Sequence, residues 1–245
     1  MKKIKALVAS LANPKLTGKK AQIEILQQIN EILLTEYVII IGNTLIQPLL
    51  VEAYYYHKDK FKDENTHGFK DETCKKMQSN RFNQLYFHRM GYGGVDICLS
   101  TEDNYCLSFL IKNSIISGKG FCTQTQLYDF MKEQSKQMKV SLNELENKKA
   151  VLCKEYHGYE IVHTVRKGLV TGSYKDERLA SLPIEKIKEY PFTLEKGHSK
   201  TAIIKEYLKN EASKAVQTKT IAELEKLRNN YMSRKEFDKL FGNYV

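Results

Sequence analysis

No stretch restricts the fold of this chain more than LLVEAYYYH, residues 49–57, which sets one acid in an apolar and aromatic run. The run reads as a strand, and a strand turns successive side chains to opposite faces. Glu52, Tyr54 and Tyr56 then share one face, and Val51, Ala53 and Tyr55 the other. A carboxylate beside two aromatic rings can stack a planar ligand and hold a water against its reacting atom. The same pattern also describes a solvated strand edge whose tyrosines lie along the surface.

The segments around it alternate between two periods. AQIEILQQINEILLTE (21–36) carries apolar residues at 25, 26, 29, 32 and 33, the spacing of an amphipathic helix. YVIII (37–41) is a short β-branched strand, and Gly42-Asn43 is a turn. Pro48 restricts the next strand to starting there or lying on an edge. Residues 57–84 are polar and charged, a long loop with room for one short helix, and loops of that length are often functional. LYFH (85–88), VDICLS (95–100) and YCLSFLIKNSII (105–116) read as strands, with a glycine-rich turn at MGYGG (90–94). Thr123 caps a helix that begins at QLYDFMKEQ, a second short helix lies near residue 140, and YEIVHTV (159–165) is another strand. Beyond 199 the spacing is helical again. Strands in the first two thirds and helices at both ends make an α+β pattern. The expected organisation is a basic lead-in over 1–20, one domain over 21–198 and a basic helical extension over 199–245.

The formal charge is +10, and residues 1–20 hold six Lys with no acid. That balance favours polyanionic partners, nucleic acid before anionic membrane, although a Lys-rich solvated surface has the same composition. The five cysteines are irregularly spaced and include no CxxC pair, which points to free thiols in a reducing cytosol rather than a zinc site. No apolar run reaches the roughly 18 residues a membrane span requires. P-loop, GxGxxG, HExxH and GxSxG patterns are all missing, so kinase, dehydrogenase and metalloprotease chemistry carries little weight. Asp96 reads either as a strand-face acid or as an orienting group.

Taken in order, these blocks resemble the alkyladenine (3-methylpurine) DNA glycosylases. LLVEAYYYH is similar to that family's strand ending in Glu-Ala-Tyr, and Thr66-His67 to its loop ending in His. SNRFNQLYFHRMGYGGVDICLS (79–100) resembles its Arg-Asn segment, hairpin and following strand. YCLSFLIKNSII resembles its Val-Leu-Leu-Arg-Ala strand with Lys112 in the Arg position, and VRKGLVTGSYKDERLAS (165–181) its Arg-Arg-Val-Gly segment. The matched blocks run from about residue 45 to 182. Ser100 stands where the family has Asn, and the basic tail has no counterpart.

The resemblance implies an α+β fold, a single mixed domain around a curved antiparallel β-sheet with N-terminal and C-terminal helices. It implies that Glu52 activates a water, that Tyr54 stacks on a flipped base, and that His67, Ser100 and Arg166 belong to the pocket. Tyr92 would insert into the duplex, and Arg81, Lys112 and Lys167 would meet its backbone. The implied partner is double-stranded DNA with a damaged purine, bound by a cytoplasmic, nucleoid-associated monomer that needs no metal or cofactor and has no membrane association. The alternative is a non-catalytic nucleic-acid-binding protein on the same scaffold.

Overall fold

The N-terminal charges ride on a helix. In a computed structural model, which describes residues 1–67, 81–89, 91, 93–147, 151–155, 157–218, 221–231 and 233–241, α1 spans Lys2–Ala12. Its Ile4, Val8 and Leu11 are fully buried at helical spacing and join the core, while Lys2, Lys3 and Lys5 face solvent. Helix α2 (Lys19–Glu36) buries Leu26, Ile29 and Leu33, the stripe its periodicity predicts.

Among the described residues a sheet of ten strands follows, and every described pairing is antiparallel. Strand β1 (Tyr37–Ile41) turns through Gly42-Asn43 into β2 (Thr44–His57). Gly42 has φ +58°, which the first position of a tight hairpin turn reserves for glycine. The strands β3 (Phe61–Lys62), β4 (Gln84–His88), β5 (Gly94–Cys98), β6 (Tyr105–Ile116) and β7 (Gly120–Thr123) come next. Helices α3 (Gln124–Gln137) and α4 (Leu142–Asn147) precede β8 (Val151–Lys154), β9 (Ile161–Thr164) and β10 (Ala180–Pro183). Thr123 does cap α3, in a capping box with Gln126.

The main path runs β4-β5-β6-β2-β1-β8, with β3, β7, β9 and β10 joined at its sides. The curved sheet of the expected scaffold is not what forms. The path is open, β4 and β8 lie at opposite ends, and the sheet branches instead of curling round. The branch has a local cause in β2. Its edge pairs with β1 up to Ile46 and with β10 from Val51, and Pro48 falls between. Proline has no N–H to give to a ladder, and the β2–β6 register shifts there as a bulge. Strand β2 therefore continues through Pro48 instead of starting at it.

One face of the sheet packs on the helices. Ala53, Tyr55, Phe87, Ile97, Leu107 and Phe109 enter a core shared with Ile4, Leu33 and Met131. Met1–Thr193 and Leu194–Val245 are two compact units. The second holds α5 (Lys200–Thr218), α6 (Ile221–Tyr231) and α7 (Arg234–Phe241), with Tyr207 edge-on to Tyr231 at 5.6 Å. Among the described residues no helix is long and apolar enough to cross a membrane.

Candidate active site

Because β2 alternates, the face turned away from the helices carries its polar residues. The register sets Glu52 opposite Leu110, Leu110 opposite Asp96 and Asp96 opposite Tyr86. Tyr54 is opposite Ser108 in the next row. Two carboxylates thus lie on one row of the sheet, separated by one leucine. Over this face is a cavity of about 340 Å³, lined among others by Tyr54, His67, His88, Asp96, Ser108 and Leu110. That is the lower end of the range for small-molecule sites.

Glu52 is 1% exposed and is not in the cavity wall. Its Oε1 accepts the backbone N–H of Lys167 at 2.8 Å, and its Oε2 accepts the Tyr54 hydroxyl at 3.0 Å. Lys112 Nζ stands 3.9 Å from Oε2, beyond hydrogen-bond distance, so it acts there through charge. Burial, together with the adjacent Glu52, pushes the Tyr54 phenol well above its ordinary pKa, which keeps it a donor. Tyr54 therefore links Glu52 to the cavity.

The Tyr54 ring is braced by Arg166, whose guanidinium carbon lies 4.6 Å from the ring centre. Arg166 and Asp63 are both fully buried as side chains and pair through two hydrogen bonds, 2.6 and 3.2 Å. Arg166 also donates to the carbonyls of Ala53 and Tyr174. Asp63 in turn accepts the backbone N–H of Asn65, and its carbonyl accepts that of Thr66. The pair thus ties β2 to the segment that presents His67.

A second carboxylate reaches the cavity directly. Asp96 Oδ1 is 2.8 Å from His88 Nε2, and Asp96 Oδ2 accepts the Ser108 hydroxyl at 2.8 Å. Burial alone would lower the His88 imidazole, but the charge and hydrogen bond of Asp96 outweigh it, and its pKa is raised. The His67 ring meets His88 edge-on with centres 4.3 Å apart. Burial and then the neighbouring His88 lower the pKa of His67. The two imidazoles are driven in opposite directions, a separation that acid–base sites use.

The residues singled out in the sequence divide accordingly. Tyr54 and His67 line the cavity, Glu52 and Arg166 stand behind Tyr54, and Lys112 sits beside Glu52. Lys167 contributes its backbone. Ser100 is fully buried away from the cavity wall, and its hydroxyl accepts the Leu107 N–H at 2.8 Å, a bridge between the end of β5 and β6. Arg81 precedes β4, outside the cavity wall, and its buried Nη1 has no hydrogen-bond partner among the described residues. Tyr92 lies outside the described residues. His88 was missed as a site residue, and Asp96 was left undecided. Their signal was the shared parity of Tyr86 and His88 in one hairpin strand and Asp96 in the next, which only a known register turns into a contact.

One other cluster has the look of a catalytic triad. His163 bonds Ser181 Oγ at 2.9 Å and Glu31 at 3.0 Å. Ser181 is fully buried and its oxygen already accepts the Asn30 amide, so no substrate reaches it. Among the described residues no group of three or more His, Cys, Asp or Glu is arranged to hold a metal ion. No protein-family model matches the chain, and no curated protein matches its sequence.

Proposed function

We propose that the protein is a DNA glycosylase that takes an alkylated or deaminated purine, flipped from a duplex, into the cavity and hydrolyses its N-glycosidic bond. The observation that carries this reading is Tyr54, an aromatic wall of a base-sized cavity whose hydroxyl is bonded to the buried Glu52. Stacking on such a ring returns roughly 1–3 kcal/mol of the few kcal/mol that extrusion costs. The bond breaks through a sugar with oxocarbenium character, which a nearby carboxylate stabilises while it accepts the proton of the attacking water. Glu52 supplies that carboxylate once the Tyr54 hydroxyl gives up Oε2 to the water. The chain's net charge of +10 favours phosphate contacts that do not read sequence. The place of action is then DNA in the cytoplasm, and the chemistry is that of a hydrolase in base excision repair.

A second reading is favoured by one feature of the same site. Glu52 is buried with both carboxylate oxygens engaged and a lysine beside it, the arrangement of a structural acid in a nucleic-acid-binding module. An abasic-site assay on duplexes with hypoxanthine, 3-methyladenine or ethenoadenine separates the two. The glycosylase reading expects product from the native protein and none from Glu52→Gln, with duplex affinity retained. Binding without product from either protein establishes the binding module, and equal product from both removes Glu52 as the base.

A further inference from the structure

We propose that His88, held by Asp96, is the proton donor to the departing base; this rests on the glycosylase reading. Cleavage leaves the bonding pair of the C1′–N bond on a purine nitrogen. A neutral purine leaves poorly unless a ring nitrogen is protonated, whereas a purine already made cationic by alkylation leaves without that help. The cavity wall offers one imidazole fixed for this task. His88 is bonded through Nε2 to Asp96, and Asp96 is fixed through its other oxygen by Ser108. Among the described residues Nδ1 has no hydrogen-bond partner, so the protonated ring keeps one N–H to give. In the balanced step the water's hydroxyl goes to C1′, its proton to Glu52, and the His88 proton to the base.

The groups around His88 support its charged form. Asp96 faces it from β5. Glu146 of α4, which is bonded to Arg89 and to the Phe87 N–H, adds a second negative charge, and Lys112 of β6 opposes. His67, across a ring separation of 4.3 Å, is biased toward its neutral form and so adds little competing charge. Asp96 is a positioning residue here, since it acts through His88. Sequence spacing suggested no proton donor, because the Glu52 and Tyr54 motif specifies only the acceptor side of the reaction.

The test compares His88→Gln with the native protein on a duplex holding neutral hypoxanthine and on one holding cationic 7-methylguanine. Loss of a general acid costs roughly 10²–10⁴-fold. That loss is expected on hypoxanthine, with little change on 7-methylguanine. The native kcat/KM for hypoxanthine should also fall as pH rises through the His88 pKa. That limb should vanish in His88→Gln and move to lower pH in Asp96→Asn. The native pH profile is informative even if a variant fails to fold. Equal losses on both duplexes, or a native profile for hypoxanthine without that limb, overturn the assignment of His88. Absence of product from the unmutated protein on both duplexes overturns the underlying glycosylase reading instead.

Discussion

Replacing Arg166 by Met tests whether the site is held together from below. The Arg166–Asp63 pair is wholly buried, makes two direct bonds, and is supplemented by bonds from Arg166 to the Ala53 and Tyr174 carbonyls. Removing one member of a buried pair leaves the other as an uncompensated charge, at a cost of about 3–5 kcal/mol. Among the described residues Nε of Arg166 is buried without a partner, so the guanidinium is not ideally satisfied and the lower half of that range is the better expectation. In a unit of this size 3 kcal/mol corresponds to a Tm lower by roughly 6–12 °C. Urea unfolding and differential scanning calorimetry would measure it. Asp63→Asn removes the charge that Arg166→Met strands, so the double variant should be less destabilised than the sum of the two singles. A loss below about 1 kcal/mol in Arg166→Met, or strict additivity in the double variant, would refute the account of this pair as the brace beneath Tyr54.

Two further outcomes follow from the same face. In an NMR titration His88 should titrate above about 6.5, the ordinary histidine value, and His67 below it; the opposite order would contradict the Asp96 partnership. The sign for stability follows: the His88 contribution is full below the unfolded pKa and is lost as pH rises through its folded value. That of His67 is present above the unfolded pKa and is lost as pH falls through its folded value. Lys112→Met should leave the salt dependence of duplex binding unchanged, because Lys112 Nζ is turned to Glu52 at 3.9 Å. A fall of about one in the slope of log K against log salt would instead place Lys112 on a phosphate.

The parts of this molecule that were legible in its sequence depend on short-range periodicity. Period two alone separates Glu52 and Tyr54 from Ala53 and Tyr55, and helical spacing alone finds Leu26, Ile29 and Leu33. The partner of Arg166 was not legible. The Arg166 charge is buried because Asp63 meets it from 103 residues away. The open, branched sheet was not legible either. The expected curvature came from resemblance to a family, while the branch depends on how the Pro48 bulge divides one strand edge between β1 and β10.

The contact between His88 and Asp96 shows why chemistry is harder to read than fold. The two residues are eight apart, and Asp96 pairs with Tyr86 while His88 pairs with Gly94. A slip of one residue in that hairpin would turn Asp96 into the core and leave His88 with no carboxylate. The register is fixed because Leu85, Phe87, Val95 and Ile97 must all enter the core together. The apolar residues of the hairpin therefore decide that an acid and an imidazole meet over the cavity, and those apolar residues carry no chemical motif of their own.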